Sequence, residues 1–103
     1  MSGRRRQAEP IACVYAIQHQ YGRCYIGVTQ DLRTRWQNHL SRLRHGKHFV
    51  SDLQADWDRD GPDAFDLLVL DLEATIEAER YWLEMTPVLL RYNPYPYNPL
   101  RGA

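Results

Sequence analysis

Residues 13–28 read CVYAIQHQYGRCYIGV, two apolar runs divided by a polar turn that ends in glycine. Both runs are rich in β-branched and aromatic residues, and His19-Gln20-Tyr21-Gly22 has turn chemistry. The stretch therefore predicts an antiparallel hairpin with strands over 11–18 and 23–28. Alternation sets Tyr15 and Tyr25 on one face, with Tyr21 in the loop. It also puts Cys13 on the tyrosine face and Cys24 on the opposite one, so the two cysteines are read as small core residues that do not pair.

Downstream, Thr29 and Asp31 offer N-cap oxygens for a helix. In that helix Leu32, Trp36, Leu40 and Leu43 form one apolar stripe on a 3.6-residue period, and Gly46 ends it. A second helix follows from Phe49, Leu53 and Trp57, spaced by four, and stops at Asp60-Gly61-Pro62. The run over 64–72, with LLVL at its centre, reads as a strand buried on both faces. Thr75 caps a third helix whose inward stripe is Ala78, Trp82 and Met85. After Pro87 the density of proline predicts an extended segment laid on the surface. The order is β-β-α-α-β-α: an α/β (α+β) fold with a small three-stranded antiparallel or mixed sheet flanked by helices. Residues 1–10 are expected to be a disordered basic arm, 11–93 the domain, and 94–103 a Pro/Tyr-rich tail.

With 103 residues, the chain suits one domain with a modest core. No apolar run approaches the roughly 20 residues needed to cross a bilayer, and the basic, polar N-terminal stretch does not read as a secretory signal. No membrane partner and an intracellular, cytoplasmic address are expected. The formal net charge is zero, yet it is unevenly spread. Residues 1–48 hold nine Lys/Arg against two acids, and residues 49–103 hold four Arg against eleven acids. Either the first half faces a polyanion, or the two halves neutralise one another in the fold.

Several polar residues are not explained by packing. Arg35 and His39 are four apart and flank the apolar stripe of the first helix. Glu79 lies beside the Ala78/Trp82 stripe, where it can be angled toward the sheet. Asn93 and Asn98 follow late, each after a tyrosine. Singly, these are ordinary surface, salt-bridge or turn residues. Together, two tyrosines, an arginine, a histidine and a carboxylate suit phosphodiester hydrolysis. That reaction needs a cation on the phosphate, a group to manage a proton of water, and usually a divalent metal at the leaving oxygen. A lone Glu with waters is a reasonable Mg²⁺ site.

Read in order, Val14-Tyr15, Tyr25-Ile26-Gly27, Arg35-Trp36 with His39, Gly46-Lys47-His48, Leu53-Gln54-Ala55-Asp56-Trp57, Phe65, Glu79 before Tyr81-Trp82, and Tyr92-Asn93 resemble the GIY-YIG nuclease domain. The resemblance spans about 11–93. It implies a three-stranded antiparallel sheet flanked by helices, and cleavage of DNA by water with a single divalent metal, Mg²⁺ or Mn²⁺. Tyr15, Tyr25, Arg35, His39, Glu79 and Asn93 match the family's active-site positions, with Glu79 the metal-binding carboxylate. Tyr15 is expected to activate or orient the attacking water, and Tyr25 to position the phosphate from across the hairpin. Two departures stand out: Cys13 replaces the first glycine of the family name, and Tyr97-Asn98 repeats Tyr92-Asn93, so Asn98 is an alternative to Asn93.

On this reading Arg23, Arg33, Arg42, Arg44 and Lys47 lie along the phosphate backbone as contacts without sequence information. For specificity this reading leaves three routes: loose cutting, recognition of a DNA structure such as a flap or junction, or dependence on a protein partner or a second copy, in a homing, restriction, phage or repair setting. The alternative from another class is a catalytically inert module that binds DNA or a protein.

Overall fold

The computed structural model describes residues 9–93. Most of the expected arm, the tail over 94–103 and Asn98 lie outside the described residues. The elements are β1 (Cys13–His19), β2 (Cys24–Thr29), α1 (Leu32–Arg44), α2 (Ser51–Asp60), β3 (Phe65–Asp71) and α3 (Ile76–Met85). Short 3-10 turns at Pro62–Ala64 and Val88–Leu90 complete them. The three strands form one sheet, as the β-β-α-α-β-α pattern predicted; it is antiparallel throughout, in the order β2-β1-β3. Among the described residues, no helix is long and apolar enough to cross a membrane.

β1 is the middle strand, and helices cover both its faces, α1 and α2 on one and α3 on the other, so Cys13, Val14, Tyr15, Ala16 and Ile17 are all buried. Cys13, Tyr15 and Ile17 point toward α1 and α2, packing with Leu43, Leu53, Trp57, Phe65 and Tyr92. Val14, Ala16, Cys24 and Ile26 point the other way, against Ala78 and Leu83 of α3. The cysteines are free and on opposite faces, as alternation requires. Helix starts also follow the sequence. Asp31 accepts from the Thr34 N–H at 3.2 Å and Thr75 from the Ala78 N–H at 3.0 Å, caps whose loss typically costs about 1 kcal/mol each.

Four expectations fail in detail. The LLVL run is not buried on both faces: β3 is an edge strand, and Leu68 and Val69 are exposed. Apolar continuity reports composition, whereas burial of a face depends on what the helices cover, and of this run only Leu67 and Leu70 pack against the cores. Phe49 does not belong to α2, which starts at Ser51; it sits in the preceding loop and is 61% exposed. Met85 is also exposed, its expected place taken by Leu83. The rotation of α3 behind that exchange has a consequence. At 100° per residue Glu79 falls between Ala78 and Leu83 on the inward arc, and it is half-buried. Finally, within 88–93, the part of the post-Pro87 segment that lies among the described residues, the chain is not simply laid on the surface. Arg91 and Tyr92 are buried, the Tyr92 N–H donates to the Cys24 carbonyl at 2.7 Å, and Arg91 forms a parallel bridge with Cys24.

Asn93 completes this attachment. Its Oδ1 accepts from the Ile26 N–H and its Nδ2 donates to the Ile26 carbonyl, both at 2.9 Å. One amide thereby satisfies both backbone groups of a residue on the outer edge of β2. Asn93→Ala is expected to lower the unfolding free energy by about 1–2 kcal/mol, seen as an earlier urea midpoint at unchanged slope.

Candidate active site

The hairpin register sets the site. Tyr15 is paired with Gly27, and Tyr25 with Ile17, so the two tyrosines are diagonal neighbours on one face and do not stand directly opposite. Their ring centroids are 6.4 Å apart. The Tyr15 ring lies over Gly27. A Cβ at position 27 would come within 2.6 Å of the Tyr15 hydroxyl, so only glycine leaves room for that side chain. Tyr15 is 1% exposed, whereas Tyr25 reaches part of the surface.

The Tyr15 hydroxyl is 2.7 Å from His39 Nε2 on α1, and His39 Nδ1 is 2.8 Å from His48 Nε2. His48 Nδ1 in turn accepts from the Val50 N–H at 3.0 Å. These contacts determine the tautomers. A backbone N–H can only donate, so His48 keeps its lone pair on Nδ1 and its proton on Nε2. That proton points at His39 Nδ1, which must accept, leaving the His39 proton on Nε2 facing Tyr15. The phenol oxygen therefore receives a hydrogen bond, and its own O–H is available to donate elsewhere. Both imidazoles must be neutral for this chain to hold, and both are. Burial first, then coupling to the His48 imidazole and the charges of Arg35 and Arg42, pushes His39 down to about 3. Burial and Arg42 push His48 down to about 4.

His48 was part of the sequence pattern without a role of its own. It is held from behind by Gln54, whose Oε1 accepts the His48 N–H at 2.9 Å while its Nε2 donates to the Leu43 carbonyl at 3.0 Å. One buried amide thus ties the loop between α1 and α2 to the end of α1. Neither link is visible in spacing, because both depend on how α2 folds back.

Beside His39, a cleft of about 240 Å³ is lined by Arg35, Asn38, His39, Arg42 and Phe49. Arg35 and Arg42 are seven apart, two turns, and so share this flank of α1. Arg33 and Arg44 fall roughly half a turn away round the helix, exposed on the other flank. Lys47 is exposed in the following loop. Arg23 is drawn elsewhere: it donates to Asp52 at 3.1 Å, lies 3.9 Å from Asp56, and sits 4.4 Å over the Tyr92 ring. The five cations expected along a backbone do not form one stripe.

Glu79 approaches from α3. Its negative charge acts on both phenols, raising their pKa values after the larger effect of burial, while Arg35 opposes it; Tyr25 is pushed up to about 12 and Tyr15 higher. Among the described residues no cluster of three or more His, Cys, Asp or Glu could hold a metal. A single half-buried carboxylate fits a hard cation that keeps most of its water, such as Mg²⁺ or Mn²⁺, and does not fit an all-protein cage. Of the six expected active-site residues, Tyr15, Tyr25, Arg35, His39 and Glu79 are in mutual contact or within electrostatic reach. Asn93 spends its amide on the β2 backbone between Tyr25 and Gly27.

In sequence, residues 11–87 match the GIY-YIG catalytic domain family. In structure, the chain is similar to the catalytic domain of homing endonuclease I-TevI, with a TM-score of 0.70 at 24% identity, covering 80% of this chain and 96% of that one. No curated protein matches the sequence.

Two measurements probe this geometry. Gly27→Ala is expected to displace the Tyr15 ring and break its bond to His39, lowering stability by about 1–3 kcal/mol and shifting the imidazole resonances of His39 in NMR. The neutral histidines also set a pH dependence. Unfolded imidazoles titrate near 6.5, whereas the folded ones resist protonation down to about 3 and 4. As pH falls below about 6.5 the unfolded chain takes up protons that the folded chain refuses, so stability should fall steadily toward pH 4 and be flat from this source above pH 7. His39→Gln should make that decline shallower in a pH series of urea titrations.

Proposed function

The chain belongs to the GIY-YIG family, and on that premise we propose that it is a metal-dependent endonuclease that hydrolyses phosphodiester bonds of DNA. The observation that carries this reading is the Tyr15–His39 bond at the edge of a cleft walled by Arg35 and Arg42, with Glu79 acting on both tyrosines.

Arg35 takes the phosphate. Its planar guanidinium offers paired donors to two phosphate oxygens and neutralises charge that builds on them in the transition state. Arg42, on the same flank, adds to the positive potential that draws the backbone in. Tyr25, partly exposed and protonated at neutral pH, donates to a phosphate oxygen. Tyr15 stands behind it. Its oxygen is held by His39, so its hydrogen is aimed in a set direction and orients the attacking water.

Should Tyr15 lose its proton during the reaction, the phenolate is already hydrogen-bonded by the His39 N–H and lies beside Arg35. What keeps the phenol protonated at rest is burial first, then neighbouring Tyr25 and Glu79, with Arg35 acting against them. Neutralising Glu79 removes one of those causes. Glu79 would hold the divalent cation, which when bound supplies Lewis-acid stabilisation of the leaving oxygen. Asn93 contributes by fixing β2 at Ile26, the residue between Tyr25 and Gly27.

The test is cleavage of supercoiled plasmid in Mg²⁺, Mn²⁺ and EDTA, with folded Glu79→Ala and Arg35→Ala beside the native protein. Nicking should require the metal, be lost in Glu79→Ala, and fall about 10²- to 10³-fold in Arg35→Ala. Steeply salt-dependent DNA binding with no cleavage in either metal would instead make the chain an inert DNA-binding module.

A further inference from the structure

Phe49 is left unexplained by the fold and by the chemistry above. It is the large aromatic that the second helix was expected to bury, yet it stands in the loop before α2, 61% exposed, and lines the cleft with Arg35, His39 and Arg42. Its ring is not loose. It stacks on His48 with centroids 4.6 Å apart and planes 18° from parallel, and meets the Tyr25 edge at 6.0 Å. His48 is itself held by Val50, His39 and the Gln54 amide. A hydrophobic ring that remains in water while locked against the site has its orientation set before anything binds, so it offers contact at little entropic cost. The nearby Arg42 guanidinium is 6.0 Å from the ring centroid, at the outer limit of a cation–π contact, so it need not be displaced from a tight partner.

An exposed aromatic plane beside cations that hold a phosphate has a natural complement, a nucleobase attached to the neighbouring sugar. Bases inside a duplex have both faces stacked and cannot use such a plane; an unpaired base can. We propose that Phe49 is a stacking platform for a base flanking the scissile phosphate, so the site takes DNA that is locally unpaired at that position, as in a flap, a gap or a single strand. This rests on the nuclease reading and specifies its substrate class.

The test separates the two. Binding is measured without metal by fluorescence of 2-aminopurine placed as the unpaired base inside the gap of a gapped duplex, and at the same position in that duplex fully paired. The native protein should bind the gapped form more tightly and quench the probe. Phe49→Ala and Phe49→Leu should each lose about 5- to 100-fold on the gapped DNA with little change on the paired one, and Phe49→Trp should restore the preference. Equal affinity of the native protein for both DNAs would overturn the platform while leaving the nuclease reading intact if plasmid is still cut. Equal losses on both DNAs in Phe49→Ala, or full retention in Phe49→Leu, would overturn it as well. Failure to bind or cut either DNA would remove both readings.

Discussion

Tyr15 lies across Gly27 with its hydroxyl 2.7 Å from His39, and it can do so because position 27 carries no side chain. The rest of the centre is stacked on that contact. His39 comes from the first helix, His48 from the loop after it, and the Val50 N–H ends the series at the start of the second helix. A single backbone donor at the far end therefore dictates which way three side chains share their protons. Chains of this kind are costly when half satisfied. Here each nitrogen has its partner, and burial, which excludes the protonated imidazoles, keeps the pattern unique.

The two faces of the sheet divide the labour. The α1/α2 face carries the aromatic and cationic groups, whereas α3 on the other face sends Glu79 inward beside Ala78. Both meet at the β1–β2 hairpin. The chain segment after α3 then returns to the free edge of β2, where Tyr92 and Asn93 bind its backbone. That return covers an edge which would otherwise be open to strand pairing, and it steadies the strand that presents Tyr25.

Part of the uneven charge is neutralised within the fold. Arg23 from the basic half is neutralised by Asp52 and Asp56 of the acidic half, and Arg59 pairs with Asp56 and Asp60 within that half. Arg35 and Arg42 stay at the cleft instead. Neutralisation between the halves thus accounts for Arg23 at α2, while the flank of α1 keeps Arg35 and Arg42 at the cleft.

The sequence by itself determined the elements and their order, because caps such as Asp31 and Thr75, breakers such as Gly61-Pro62, and apolar periods act within a few residues. Its ordered pattern also matched the family whose domain spans residues 11–87. Tertiary structure decided matters that depend on distant neighbours. These include whether LLVL or CVYAI is the doubly covered strand, how far α3 is rotated, and whether Arg23 meets a carboxylate or solvent. The roles of Gly27 and His48 were decided there too. A missing Cβ matters only when a particular ring must cross it, and a histidine tautomer is set only by the donor that the folded chain brings to it.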